Sequence, residues 1–227
     1  DADGRMDLFF PNRSGAASAL YRSDGAGFVD IALEAGVDRP GDAIGCLAFD
    51  YDGDGDTDLY VSNIGPDALF RNDGGSFADV SAEAGIVESG YSTSATAGDI
   101  DGDGDLDLFV ARLADLGSCD DPCTHLPINC DVMETNLLFV NEGGRFSEQG
   151  ATRGLVERDP SLVSLLFDVD ADGDLDLFVG NDKGLKYPDR LYENDGRGNF
   201  VDRAPALGLD GPGTDTMGVD VGDLDGD

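Results

Sequence analysis

Asp50-Tyr51-Asp52-Gly53-Asp54-Gly55-Asp56-Thr57-Asp58-Leu59-Tyr60-Val61 is the stretch from which the organisation of the chain can be read. Its acidic nonapeptide recurs from Asp99 to Asp107 and from Asp168 to Asp176, each copy followed by Leu-(Phe/Tyr)-Val. Carboxylates at loop positions one, three, five and nine, with Gly at six, converge on one point when the chain turns tightly, and oxygen ligands in that number suit calcium. Two carboxylates ~5 Å apart at an effective dielectric of ~20 repel by about 3 kcal/mol, a sign that a divalent cation reverses. A merely solvated acidic turn accounts for one such copy; three complete copies argue for an ion.

Position by position, Asp50, Asp52, Asp54 and Asp58 are expected to donate side-chain oxygens and Asp56 its backbone carbonyl. The same reading gives Asp99, Asp101, Asp103 and Asp107 with Asp105, and Asp168, Asp170, Asp172 and Asp176 with Asp174. Split copies sit at both ends: Asp1, Asp3, Arg5 and Asp7 hold positions three, five, seven and nine, while Asp223, Asp225 and Asp227 hold one, three and five. Arg5 is informative, because a cationic side chain at position seven cannot ligate while its carbonyl can. Asp56→Asn is therefore expected to cost little, and substitution of Asp54 or Asp58 to cost most of that loop's affinity. An EF-hand would need a bidentate Glu at position twelve, where this chain has Val61, Val110 and Val179. The Gly-rich nonapeptides of calcium β-helices are also absent.

With 227 residues and 40% apolar content, the chain can bury the core of one domain or one array of repeats. The net charge of −34 is largely ligand, since the loops supply 21 of the 48 acidic residues. Even with every loop filled the charge stays far below zero, which repels nucleic acid and anionic membrane surfaces. No apolar run approaches the ~20 residues that span a bilayer. Residue 1 falls inside a loop motif, so any secretion signal is expected to lie outside this sequence.

Cys46, Cys119, Cys123 and Cys130 allow three pairings if all are oxidised. Three of them crowd near His125, the only histidine, yet the C-x₃-C-x₆-C spacing fits no common zinc module. Disulfides are favoured over a zinc or copper site there.

Marking each loop by its fifth position gives Asp3, Asp54, Asp103, Asp172 and Asp227, an internal repeat of roughly 50 residues whose long third interval carries the cysteine insertion. Within a unit an apolar stretch precedes the loop, Leu59-Tyr60-Val61 follows it, and Ala68-Leu69-Phe70 leads into the turn Asn72-Asp73-Gly74-Gly75 before Phe77. Counterpart turns begin at Ser23, Asn141 and Asn194, and short Ala-rich helical turns end at Gly36, Gly85, Gly154 and Gly208.

Four short strands per ~50 residues predict an all-β fold of β-propeller blades with four antiparallel strands each. The predicted units are a partial blade (1–39), blades at 40–88, 89–158 (with the cysteine insertion at about 115–135) and 159–211, and a lone first strand (212–227). The complementary ends admit an excerpt of a longer propeller, completion by a neighbouring chain, or a closed four-blade ring.

The loop motif followed by Leu-Phe-x-Asn-(Asp/Glu)-Gly-Gly-x-Phe resembles the FG-GAP or VCBS repeats, and Asp79-Val80-Ser81-Ala82-Glu83-Ala84-Gly85-Ile86 is similar to the subset found in cartilage acidic protein and ASPIC/UnbV-type proteins. The resemblance implies a β-propeller, usually of seven blades as in the integrin α-subunit head, with calcium between the first two strands of a blade. It further implies adhesion, protein interaction or scaffolding outside the cytoplasm, secreted or at the cell surface with the periplasm as an alternative, and it carries no catalytic residues.

The expected function is thus a calcium-stabilised interaction module with a protein or glycan partner. An enzyme is disfavoured, since His125 lies in the insertion and neither Gly-x-Ser-x-Gly nor His-Glu-x-x-His occurs. A sugar-binding propeller would need aromatic platforms; with no Trp, only Tyr21, Tyr60, Tyr91 and Tyr192 could serve. Self-association through the complementary ends is the remaining alternative.

Overall fold

The computed structural model describes residues 4–114, 133–182, 186–209 and 215–222. Strands β1 (Leu8–Phe10), β2 (Ala19–Ser23) and β3 (Phe28–Asp30) form a three-stranded antiparallel sheet. A four-stranded meander follows: β4 (Ala43–Phe49), β5 (Asp58–Pro66), β6 (Ala68–Asp73) and β7 (Ser76–Asp79). The pattern repeats in β8 (Ser89–Gly98), β9 (Asp107–Arg112), β10 (Leu137–Asn141) and β11 (Phe146–Glu148). It repeats again in β12 (Ser161–Phe167), β13 (Asp176–Asn181), β14 (Arg190–Asn194) and β15 (Phe200–Asp202). The fold is all-β, built of antiparallel blades stacked as in a β-propeller.

Stacking explains why Leu-(Phe/Tyr)-Val is a continuous apolar run. A strand covered on both faces has no polar side to present. Leu59 and Val61 pack back onto Leu20, Ala32 and Val37 of the preceding sheet. Tyr60, between them, packs forward with Leu69 and Ile86 against Leu108, Val110 and Phe139. One blade later Phe109 and Leu138 meet Leu177, Val179 and Phe200. The predicted Ala-rich turns are present at Ala32–Ala35, Ser81–Ala84, Gly150–Arg153 and Ala204–Leu207. Each closes on a left-handed glycine, and at Gly85 (φ 91°) a Cβ would stand 2.4 Å from the Phe146 carbonyl of the next blade. The glycine therefore serves blade spacing as well as the turn.

Two features lie beyond the expected separate blades. The end of β5 continues past its own sheet to pair with β8 (Ile64 with Tyr91, Pro66 with Ser89), joining two blades into one sheet. At this same end a polar latch recurs between blades: Ser92 Oγ donates to Asp67 Oδ2 (2.7 Å), Asn136 Nδ2 to Ser161 Oγ (2.9 Å), and Thr216 Oγ1 to Asp189 Oδ2 (2.6 Å). Asp67 is buried and also accepts from Tyr60 OH and the Asn63 amide, so its charge is met by hydrogen bonds rather than water.

Loop position four is Gly53 and Gly102, at φ 73° and 77°, but Ala171 occupies it in the third loop at φ 62°. An L-residue pays roughly 1–2 kcal/mol for that conformation, partly offset by its smaller unfolded-state entropy. Ala171→Gly is expected to stabilise the protein by about 1 kcal/mol, measured as a shift in the urea midpoint at constant m-value.

Candidate metal centres

Each acidic loop connects the first two strands of a blade: β4 to β5, β8 to β9, and β12 to β13. The first carboxylate winds the loop around itself. Asp50 Oδ1 accepts from the Gly53 and Asp54 amides (2.9 and 3.2 Å) and Oδ2 from Gly55 (2.9 Å). Asp99 repeats all three contacts, with Gly102, Asp103 and Gly104. Asp168 repeats those with Asp172 and Gly173. The ninth carboxylate ties the loop to the third strand. Asp58 accepts from Tyr51 (3.0 Å) and Asn72 (2.7 Å), Asp107 from Ile100 and Asn141, and Asp176 from Val169 and Asn194.

Of the expected ligands, the structure brings together positions one, three and nine. Asp50, Asp52 and Asp58 each offer an oxygen within 4.8 Å of the others, as do Asp99, Asp101 and Asp107, and Asp168, Asp170 and Asp176. Position five stands outside these trios: Asp54, Asp103 and Asp172 accept from the amide of position seven. Position seven faces the neighbouring hairpin. Asp56 Oδ2 accepts from Gly74 (2.8 Å) and Asp105 Oδ2 from Gly143 (2.6 Å). Asp174 lies beside Gly196, and in the partial first loop the Arg5 guanidinium lies beside Gly25.

At Asp56 and Asp105 the seventh side chain thus serves the turn, a role absent from the ligand reading of the sequence. Asp105→Asn is expected to cost about 1 kcal/mol of stability, read by urea unfolding, while leaving calcium affinity nearly unchanged. Asp7 keeps the ninth-position contact, accepting from Ser23 (2.8 Å). Asp1, Asp3, Asp223, Asp225 and Asp227 lie outside the described residues, as do Cys119, Cys123, Cys130 and His125. Cys46 is a free, exposed thiol on β4.

Electrostatically the trios are under tension. Asp58 and Asp107 are 0% and 1% exposed. Burial pushes both carboxyls up to about 6, against the backbone amides that pull them down. Burial also raises Asp52 and Asp170, helped by Asp54 and Asp172 respectively. Asp174 is pushed up to about 6 by burial and by Asp172. One oxygen each of Asp52, Asp101 and Asp174 is buried without a hydrogen-bond partner. Acceptor-only oxygens in that state fit a hard cation.

These carboxyls bind a proton more tightly folded than unfolded, so the cation-free protein loses stability as pH rises from about 4 to about 6. A loss of roughly 2–3 kcal/mol for each of Asp58 and Asp107 is expected, followed by thermal melts in chelator across that range. Bound cation should flatten the trend.

In the sequence, Asn72, Asn141 and Asn194 read as turn formers only. The structure makes two of them bridges between blades: Asn141 Nδ2 donates to Tyr51 O (2.8 Å) inside the preceding blade's loop, and Asn194 Nδ2 to Ile100 O (2.8 Å). Recurrence of Asn at the repeat's own period was the available signal. The aromatic platforms required for a sugar site are not offered by Tyr60, Tyr91 or Tyr192, all buried, and Tyr21 meets Phe10 edge to face at 5.7 Å.

Residues 1–61, 50–110 and 168–227 each match the family model described as FG-GAP-like repeat. No curated protein matches. Among solved structures, a lectin of Agrocybe aegerita, described by its specific recognition of non-reducing terminal N-acetylglucosamine, is similar to 88% of this chain at 20% identity and a TM-score of 0.46. This chain spans 48% of that lectin's length.

Proposed function

Because the chain belongs to the FG-GAP-like repeat family, we propose that it is a calcium-binding β-propeller module that works outside the cytoplasm as an adhesion, protein-interaction or scaffold element, without catalysis. The observation that carries the reading is the recurrence of one converging carboxylate trio at the same place in successive blades, each with a buried ninth-position carboxylate. Hydrogen bonds from the third strand and from the following blade's Asn reach each of the first two loops, so an ion held there braces the blade and its junction together. Among the described residues no helix is long and apolar enough to cross a membrane.

Calcium in this scheme is structural: it binds the folded loop and not the unfolded chain, so its binding energy is folding energy. The partner then docks on a surface whose geometry the ions hold fixed. Immobilised protein screened against extracellular proteins and glycans, with calcium and with chelator, tests the reading. Partner capture that disappears in chelator and returns with calcium supports it; capture indifferent to calcium overturns the structural role.

A second reading, head-to-tail association of copies, is favoured by the exposed end faces. Leu8 and Phe10 are exposed where their counterparts Leu59 and Val61 are buried, and Leu207 and Leu209 where Ala84 and Ile86 are buried. Sedimentation with and without chelator tests it, a monomer under both conditions ending the idea.

A further inference from the structure

We propose that Arg153 is a built-in counter-cation of the second loop, which lowers that loop's affinity for calcium and holds the loop together when calcium is absent. The inference rests on the calcium reading above. Arg153 ends the Gly150–Arg153 turn of the third blade. Its Nη2 lies 3.4 Å from Asp101 Oδ2, with the two side chains 16% and 18% exposed. Its Nε donates to Gln149 Oε1 (3.1 Å), and Nη1 donates to the Arg197 carbonyl in the next blade's turn. The guanidinium is therefore fixed in direction, with its charge on one member of the converging trio.

Asp101 holds position three of its loop; its other oxygen, Oδ1, is buried without a partner. An incoming ion finds a carboxylate already contacted by a guanidinium and must share it with Arg153 or displace the guanidinium. The position of Arg153 in the turn, just before the closing glycine, is Ala84 in the second blade and Leu207 in the fourth, so neither supplies a cation. Beside the first complete loop, in the second blade, Arg71 is engaged by Asp73 at 3.1 Å. Beside the third loop the equivalent of Arg71 is Glu193, whose carboxylate is taken by both arms of Arg203. The direct Arg–carboxylate contact to a trio member is thus particular to the second loop among the described residues.

Two consequences follow. Without calcium, Arg153 spans Asp101 and the Arg197 carbonyl, so the junction between the third and fourth blades keeps a clamp that does not depend on the ion. With calcium, the second loop fills at a higher concentration than it would without the arginine. A resident cation at this distance in a partly shielded site is expected to cost the ion roughly tenfold in affinity.

Calcium titration followed by amide NMR separates the loops, because the Gly55, Gly104 and Gly173 amides each donate to the first carboxylate of their own loop. In R153Q the Gly104 midpoint should move to roughly tenfold lower calcium, with Gly55 and Gly173 unmoved. R153K, which keeps the charge, should stay near the wild-type midpoint. A purely structural arginine would instead leave the Gly104 midpoint unchanged or raise it in R153Q, and either result overturns the proposal. The wild-type protein gives a second readout should R153Q not fold: the Arg153 Nε–H resonance should shift with the Gly104 midpoint, and a resonance indifferent to calcium overturns the proposal. Absence of any response at all three glycines overturns the calcium reading itself, and this inference with it.

Discussion

Chelation is expected to lower the melting temperature by roughly 15–30 °C at neutral pH. Three trios of carboxylates are present, each with a ninth-position member at most 1% exposed. An ion that binds only the folded state at 100 times its dissociation constant contributes about 2.7 kcal/mol per site, so three independent sites give about 8 kcal/mol. At roughly 2–4 °C per kcal/mol for a chain of this size, that sum sets the expected range. Circular-dichroism melts in chelator, then after calcium add-back, measure it. Magnesium should restore less, since it demands a small octahedral shell and dehydrates reluctantly. A melting point indifferent to chelator would contradict the structural role.

Asp107→Ala should destabilise the protein by about 3–5 kcal/mol both with and without calcium, while Asp52→Ala should cost up to about 2.7 kcal/mol, and only with calcium. Asp107 is buried and satisfies the amides of Ile100 and Asn141 at 3.0 and 2.8 Å. Truncation strands two buried donors at about 1–3 kcal/mol each and removes a ligand. Asp52 has a buried, unpartnered oxygen, and burial followed by repulsion from Asp54 raises its pKa. In the absence of an ion its removal relieves tension rather than creating a vacancy for a hydrogen bond. Urea unfolding of both variants in calcium and in chelator separates the roles; equal losses for Asp52→Ala in the two conditions would refute the ligand assignment.

The blade architecture was legible because its signal is periodic. Loop, apolar triplet, turn and closing glycine recur in fixed order, and tertiary packing reinforces that order by burying Leu59-Tyr60-Val61 and Leu108-Phe109-Val110 on both faces. The carboxylates of the cage were legible as residue types, but not their division of labour. Position seven turns toward Gly74 and Gly143 because the neighbouring hairpin offers unsatisfied amides there, information carried by residues 18 and 38 positions away.

The same distance hid the bridges. Asn141 reaches Tyr51 and Asn194 reaches Ile100 across blades, and Ser92 reaches Asp67, in each case between residues whose local sequence reads as turn or strand. Arg153 was equally silent, since nothing near Gly150-Ala151-Thr152 announces that its side chain folds back onto Asp101. Contacts of this kind are set by how one repeat stacks on the next, which a pattern within one repeat does not encode.

The central claim is that the periodic aspartates hold divalent ions, and counting those ions tests it most directly. Equilibrium dialysis of the protein against radioactive calcium at neutral pH should reach a plateau of at least three ions per chain, one for each trio. Uptake that never saturates, or a plateau below one ion per chain, would contradict the account.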